Sequence, residues 1–200
     1  MKILFVGGTG TIGRRVSEKL KEKHELILAG SKSGDLQFDM TDYRSIEELF
    51  GKVGKVDALM VAAGGAYMGP LQQMTEEHFY QGIRSKMMGQ INLALVGQHY
   101  INPSGSITLT SGILSEDPIA YGAVLSTINS AVNGFVVGAA GELMQQGIRI
   151  NVVSPGLVED SVEAIGSYFP GHNPVEMDRV VNGYIKSIEG IRTGEIIKVF

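Results

Sequence analysis

Short apolar runs recur along the chain, separated by stretches in which apolar residues return every three or four positions. Seven runs have the length and flanking turn residues of strands, at residues 3–6, 25–29, 36–38, 57–63, 106–110, 149–153 and 195–200. Several are bounded by glycine, and short apolar runs of this kind are typical of strands covered on both faces. The pattern therefore predicts a sheet of about seven strands.

The stretches between the strands carry the spacing of helices. Helices are predicted over residues 14–20, 42–50, about 75–97, about 125–145 and about 174–188, with a polar loop after Gly156. Thr41 or Asp42 suits the N-cap of the second helix, and Thr75 that of the third. Alternating strands and helices predict an α/β fold, doubly wound, with a mainly parallel sheet.

The link between the second and third strands breaks this alternation. About six residues separate these strands, whereas a strand-helix-strand crossover needs about a dozen. The helix normally found there is therefore predicted to be missing or truncated to a turn.

The composition fits one domain over residues 1–200. The chain is 44% hydrophobic, and its net charge of −4 gives no electrostatic basis for binding nucleic acid or an anionic membrane. Cysteine is absent, which is compatible with the predicted cytoplasmic location. No apolar stretch is expected to reach the roughly 18 residues of a membrane span. The histidines show no metal-ligand spacing, so no metal site is predicted.

The first strand runs directly into a glycine-rich turn, Gly7-Gly8-Thr9-Gly10-Thr11-Ile12-Gly13. Residues 8–13 match G-x-G-x-x-G between a buried strand and a helix. Its glycines permit a tight turn, close approach to a pyrophosphate and close packing of helix on strand. Backbone N–H groups at the helix start favour phosphate. The turn predicts a Rossmann-like domain that binds a dinucleotide.

Further motifs, in the same order along the chain, resemble those of the short-chain dehydrogenase/reductase family. They are the glycine turn with Val6 at the usual threonine position, Ala62-Ala63-Gly64, the strand that ends at Ser111, and the stretch 147–156. The resemblance covers essentially all of the chain and implies hydride transfer between a nicotinamide cofactor and a small carbonyl or alcohol. It also implies cofactor contacts by Asp39, Met40, Ala62, Ala63, Gly64, Asn129, Pro155, Gly156 and Val158.

The catalytic positions implied by this resemblance are only partly kept. The family's tyrosine and the lysine four residues later align with Leu125 and Asn129, and its helper asparagine aligns with Lys86. Leucine transfers no proton, and asparagine carries no charge, although it can hydrogen-bond a ribose hydroxyl. Ser111 is retained and is expected to line the ligand pocket.

Tyr121, one helical turn earlier, offers a replacement for the missing tyrosine. To act near neutral pH its hydroxyl needs a nearby cation to lower its pKa from about 10, and Lys86 is the candidate. Ser111, Tyr121 and Lys86 therefore form the candidate catalytic set. The alternative is that Tyr121 packs in a loop and Lys86 is a solvated helix charge.

The end of the second strand favours NADP over NAD. Ser31-Lys32-Ser33 provides one ammonium group and two hydroxyls but no carboxylate, which suits a 2′-phosphate, with Arg14 or Arg15 as possible helpers. Asp35 is the rival feature, since it could bind a ribose if the short link folds back.

The helix at about 125–145 is apolar on nearly all sides and needs cover on more than one. A homodimer or homotetramer would provide it; burial against the chain's own sheet and helices is the alternative. Two functions remain open. One is an NADP-dependent oxidoreductase with a rearranged proton donor. The other is a catalytically degenerate nucleotide-binding protein that senses redox state or regulates a partner.

Overall fold

Seven parallel strands form one sheet in the computed structural model, which describes residues 1–200. The strands are β1 Lys2–Val6, β2 Glu25–Gly30, β3 Leu36–Gln37, β4 Val56–Val61, β5 Ile101–Thr110, β6 Arg149–Pro155 and β7 Ile196–Val199. They lie in the order β3-β2-β1-β4-β5-β6-β7, and every pairing is parallel. The predicted α/β fold with a doubly wound, Rossmann-like sheet is confirmed.

Helices cover both faces of the sheet. They are α1 Thr11–Leu20, α2 Tyr43–Val53, α3 Glu76–Gly82, α4 Gly89–Gly97, α5 Ala123–Gln145, α6 Val162–Ile165 and α7 Met177–Glu189. Side chains of α2, α4 and α5 pack with Leu4 on one face, and those of α1 and α7 pack with Phe5 on the other. Successive strand side chains point to opposite faces, so the apolar run of β1 supplies both cores.

The link between β2 and β3 contains no helix, as predicted. Asp35 holds this link to β2: its N–H donates to the Leu28 carbonyl (2.7 Å), and its carboxylate accepts from the Leu28 N–H (2.8 Å). Gly34 has φ of +110°, and a Cβ there would lie 2.7 Å from the Leu28 carbonyl oxygen. The link therefore folds tightly against β2 and leaves residues 31–33 exposed.

The helix predicted over about 75–97 changes its winding midway. Helices α3 and α4 are joined by a π-helical segment, Ile83–Met88. At this segment the Lys86 carbonyl oxygen accepts from the side-chain amide of Gln90 (3.0 Å). Single π-helical turns are frequent at functional sites, and an apolar pattern close to the 3.6-residue period does not reveal them.

The loop predicted after Gly156 is partly helical, which corrects the sequence-based expectation. It contains α6 and two single helical turns, Glu159–Ser161 and Gly166–Tyr168. Phe169 anchors it through an apolar cluster with Leu114 and Leu157. These elements are too short for a periodic pattern to predict.

By length and composition alone, α5 is apolar enough to cross a membrane, so the expectation that no segment reaches this length is wrong. Small residues between larger apolar ones extend the stretch over 23 residues. In this fold Val132 and Val136 of α5 are fully buried, while Val137 and Met144 on its outer side are about half-exposed. A homo-oligomer that covers this outer side stays a prediction, as does the absence of membrane contact.

Close backbone contact joins β1, β4 and α1. Gly7 has φ of +82°, and a Cβ there would overlap the Ala62 carbonyl at the end of β4. A Cβ on Gly13, in the first turn of α1, would overlap the Gly7 carbonyl oxygen. Two of the glycines of the predicted turn are thus required by packing.

We expect Gly13→Ala to lower the free energy of unfolding by about 1–3 kcal/mol, the usual range for overpacking. Urea denaturation measures the change. Gly51→Ala in α2 is the matched control: no atom lies within 4 Å of its Cβ position, so alanine should stabilise that helix by about 1 kcal/mol. An unchanged midpoint for Gly13→Ala would show that the contact with Gly7 relaxes easily.

Candidate functional site

A cleft of about 470 Å³ opens at the carboxyl ends of β1, β2 and β4. This β1–β4 cleft lies where strand order reverses, the usual ligand position in open α/β sheets. The residues predicted from sequence that line it are Gly7, Thr9, Gly10, Ser31, Lys32, Ser33, Asp39, Met40, Ala62, Ala63 and Gly64. The structure thus brings most of the predicted cofactor residues together.

Helix α1 starts beside this cleft. Gly10 is its N-cap and has no side chain to satisfy the first N–H groups of the helix. A Cβ on Gly10 would meet only the Gly7 carbonyl oxygen, at 3.5 Å, so the space above the turn is open. A pyrophosphate fits this arrangement, because exposed N–H groups and the positive end of the helix dipole both favour an anion.

Hydroxyls and one ammonium group line the β2 end of the cleft. The Thr9 and Ser33 hydroxyls are hydrogen-bonded (2.7 Å), which ties the short link to the glycine turn. Asp35 does not line the cleft, and its carboxylate binds the β2 backbone, so the structure argues against the rival ribose contact. No carboxylate from residues 31–35 faces the cleft.

Neither predicted arginine helper lines the cleft. Arg14 lies in a separate hollow with Thr9, Thr11 and Asp160, and Arg15 lies between α1 and α7. Successive helix residues point about 100° apart, so the two arginines leave the turn in different directions. The Arg14 hollow shares Thr9 and Gly10 with the cleft, so the helper role of Arg14 stays a prediction, whereas Arg15 lies away from the cleft.

Asp39 shapes the end of the cleft beyond β3. Its carboxylate accepts hydrogen bonds from the Thr41 hydroxyl (2.7 Å) and the Thr41 N–H (2.8 Å). These hydrogen bonds, the hydroxyl one first, lower the pKa of Asp39 below its ordinary value. The carboxylate is thus ionised and fixed in place.

Several lining residues were not predicted: Val6, Gly30, Phe38, Thr41, Gly65 and Ser85. Ser85 closes the cleft from the π-helical segment, where its hydroxyl accepts from the Gly65 N–H (3.2 Å). In the sequence, the feature that could have indicated Ser85 is its position next to the candidate residue Lys86. The π-helical winding was needed to decide which of the two faces the cleft.

The remaining predicted cofactor residues lie elsewhere. Gly8, Thr11, Ile12 and Gly13 do not line the cleft with side chains, but Thr11 and Ile12 open α1, so their N–H groups are among those at the helix start. Pro155 and Gly156 end β6, where the Gly156 N–H donates to the Val199 carbonyl (2.9 Å). Val158 is buried in the core on the α7 side of the sheet. In this geometry Pro155, Gly156 and Val158 help to hold the fold, and their contacts with a cofactor stay predictions.

A second group of polar side chains lies at the carboxyl end of β5. Ser111 and Asn129 are buried, and neither the Ser111 hydroxyl nor the Asn129 side-chain oxygen has a hydrogen-bond partner. Leaving such a buried group unpaired costs about 1–3 kcal/mol. Unsatisfied polar atoms of this kind call for an explanation, and a functional role, a bound water or a ligand each provides one.

Lys86 reaches this group from the π-helical segment. Its ammonium nitrogen lies 3.4 Å from the Ser111 carbonyl oxygen, and no acidic side chain pairs with it. Burial lowers the pKa of Lys86 to about 8. Lys86 is thus partly buried with its ammonium group toward β5, which disfavours the alternative of a solvated helix charge.

Tyr121 does not join this group. It is 49% exposed, with φ of 66°, and its hydroxyl makes no hydrogen bond within the chain. Its carbonyl accepts from the Gly69 N–H (3.1 Å), so its backbone has a structural role. The structure brings Lys86 and Ser111 together but leaves Tyr121 apart.

Leu125, at the position implied for the family's tyrosine, packs against the apolar cluster that contains Ile113, Leu114, Leu157 and Phe169. Its side chain contributes only hydrocarbon there, and the loss of the family's proton donor stays a prediction.

Comparison with known proteins agrees with this geometry. A family model described as enoyl-(acyl carrier protein) reductase matches residues 8–178. The protein lin1944 from Listeria innocua is 45% identical, with a TM-score of 0.98 over 100% of both chains. A small-chain dehydrogenase solved in complex with NADPH is 29% identical, with a TM-score of 0.88, over 100% of this chain and 96% of its own.

A curated relative, an uncharacterized oxidoreductase of Methylorubrum extorquens, is 27% identical over 137 residues. The match covers 66% of this chain and 55% of that protein, so this chain spans just over half of that relative's length.

Gln90 positions Lys86 against β5, and its loss should destabilise the fold. Its buried amide donates to the carbonyls of Lys86 (3.0 Å) and Thr110 (2.9 Å) and accepts from the Thr110 N–H (2.8 Å). Gln90→Leu keeps the volume but should cost about 1–3 kcal/mol for each buried group left unpaired. Chemical denaturation measures this.

Gln145→Leu, at an exposed position in the last turn of α5, is the control and should change stability by less than about 0.5 kcal/mol. Equal small effects of the two variants would contradict the assigned role of Gln90.

Proposed function

This chain belongs to the short-chain dehydrogenase/reductase family, and from that premise we propose that it binds NADP(H) in the β1–β4 cleft. The observation that carries this proposal is the lining of the β2 end of the cleft by Ser31-Lys32-Ser33, where residues 31–35 place no carboxylate. A 2′-phosphate is well matched by an ammonium group and two hydroxyls, whereas selectivity for NAD usually uses an acidic residue there. The 29% identical relative solved with NADPH supports the same choice.

The glycine turn and the start of α1 suit the pyrophosphate, while Asp39 and Met40 lie where the adenine end would reach beyond β3. The short link between β2 and β3 leaves this end of the site open on one side. Binding in this mode needs none of the proton-transfer residues.

We infer little or no carbonyl reduction from the polar group at β5. Bound NADPH supplies a hydride, and the chain must then protonate or strongly hydrogen-bond the oxygen of a carbonyl substrate. Leu125 offers no proton, and the Tyr121 side chain is about half-exposed and makes no hydrogen bond to Lys86 or Ser111. The function that we propose is therefore that of a nucleotide-binding member of the family that senses redox state or acts on a partner.

A second candidate function is NADPH-dependent reduction of a small carbonyl with Lys86 as the proton donor. Its support is the ammonium group beside Ser111, with a pKa of about 8, a value suited to proton transfer near neutral pH. In this function Ser111 would donate a hydrogen bond to the substrate oxygen, and Tyr121 would have no part.

The cofactor preference is tested by nucleotide fluorescence. NADPH should bind more tightly than NADH, and Lys32→Glu should weaken NADPH by about 1.5–3 kcal/mol, which is tenfold or more. Lys52→Glu, at an exposed position near the end of α2, makes the same charge change away from the cleft and should have little effect. Equal affinities for the two nucleotides in the wild type would contradict NADP selectivity.

Turnover separates the two candidate functions. NADPH consumption is measured over a panel of aldehydes and ketones with wild type, Tyr121→Phe, Lys86→Met and Ser111→Ala. We expect wild-type rates about 10²–10⁴-fold below those of a reductase with an intact proton donor.

Strong turnover abolished by Lys86→Met but not by Tyr121→Phe would favour the second candidate. Strong turnover that is lost with Tyr121→Phe would support Tyr121 as the proton donor. Strong turnover that none of the three variants changes would show that the reaction takes place elsewhere in the protein.

A further inference from the structure

The polar side chains of Lys86, Ser111 and Asn129 lie around the end of β5, and this group of residues is here called the Lys86 pocket. The three side chains come from different elements, the π-helical segment, the end of β5 and α5. The Lys86 side-chain nitrogen lies 3.4 Å from the Ser111 carbonyl oxygen. The Asn129 side-chain amide lies beside the next residue, Gly112: a Cβ added to this glycine would be 3.1 Å from the Asn129 amide nitrogen. Gln90 fixes the segment that presents Lys86.

The charge of this pocket is unbalanced. Strand β5, helix α4 and α5 up to residue 141 contain no charged residue, so none of them places a carboxylate opposite Lys86. The other cation of the π-helical segment, Arg84, is exposed and pairs with Glu77 of α3. His78 of α3 stacks on Tyr67, and its Nδ1 accepts from the Thr75 N–H. A desolvated ammonium without a counter-charge favours an anion.

Of the two unpartnered atoms, that of Ser111 has the right chemistry for such a ligand, because the Asn129 oxygen only accepts hydrogen bonds. Ser111 is 3% exposed, and its hydroxyl can donate to a carboxylate oxygen. Asn129 is 2% exposed, and its side-chain oxygen has no partner, whereas its amide nitrogen is a donor beside Gly112. Ammonium, hydroxyl and amide donors together match the two oxygens of one carboxylate.

The surroundings of the pocket differ on its two sides. On one side Ser85, the neighbour of Lys86, lines the β1–β4 cleft. On the other side Ile113 and Leu114 follow Ser111 in the chain and join an apolar cluster with Phe169. A ligand held at Lys86 would therefore have the cofactor cleft on one side and hydrocarbon on the other.

We propose that the Lys86 pocket binds the carboxylate of a small organic acid beside the β1–β4 cleft. The proposal deepens the proposed function, on which it rests for the presence of NADP(H) next to that acid. Lys86 would pair with the carboxylate, while Ser111 and Asn129 would donate hydrogen bonds to it. Phe169 and its neighbours would contact a short apolar remainder.

Because Lys86 has a pKa of about 8, the affinity for the acid should depend on pH. The ammonium form, which pairs with the carboxylate, predominates below that pKa. As the pH rises through about 8 the amine loses its proton, and the affinity should then fall, approaching tenfold per pH unit. No other charged group of β5, α4 or the facing part of α5 competes for this titration.

Calorimetry with pyruvate, and with its uncharged methyl ester as the matched ligand, tests the proposal on NADP⁺-saturated protein. Pyruvate should bind at pH 7 and methyl pyruvate at least tenfold more weakly. Lys86→Met should weaken pyruvate at least tenfold, and Lys86→Arg, which keeps the charge, should restore part of the loss. Lys52→Met, which removes an exposed charge elsewhere, should leave binding unchanged.

Absence of pyruvate binding, equal binding of the ester, or unaltered binding to Lys86→Met would overturn the proposal. Thermal unfolding shows whether Lys86→Met folds. If it does not, the proposal is tested by measuring the affinity of the wild type for pyruvate as a function of pH, and a constant affinity from pH 7 to 9.5 would contradict the proposal. NADPH fluorescence is recorded for each protein. Pyruvate binding to the nucleotide-free wild type without NADPH binding would refute the proposed function but keep the pocket.

Discussion

Close contact between the glycine turn and the start of α1 is the constraint from which the rest of the site follows. The turn can cross over the end of β1 only because Gly13 has no side chain against the Gly7 carbonyl and Gly7 has none against Ala62. That contact sets the start of α1 at the edge of the sheet, between β2 and β4. The cleft, its open space above Gly10 and its phosphate-favouring helix end are consequences of the same backbone path.

The second determinant is the junction between the π-helical segment and β5. The Gln90 amide joins the Lys86 carbonyl to both backbone groups of Thr110, so the position of Lys86 relative to Ser111 is fixed by hydrogen bonds in the core. The fold thereby holds a desolvated ammonium and two unpaired buried side chains within one small region. Such groups oppose folding, and binding of a ligand is the physical reason we assign to them.

The two regions differ in what they retain of the family's chemistry. The cleft keeps the backbone geometry that a dinucleotide needs, and its β2 end has cationic and hydroxyl groups without a carboxylate. Near the end of β5, Leu125 of α5, which the sequence comparison aligns with the family's tyrosine, packs in an apolar cluster, and Lys86 brings a positive charge to Ser111. Cofactor binding and proton transfer are separable in this fold because the residues for each lie at the ends of different strands.

The sequence by itself determined the strands, the parallel doubly wound sheet, the missing helix between β2 and β3, and the glycine turn. These follow from local patterns: apolar periodicity, chain length between strands and the steric freedom of glycine. Only the tertiary structure decided that Asp35 binds the backbone of Leu28, that neither Arg14 nor Arg15 lines the cleft, and that Lys86 approaches Ser111 while Tyr121 stays exposed. Those outcomes depend on the direction of individual side chains and on one π-helical segment, and packing between distant parts of the chain sets both.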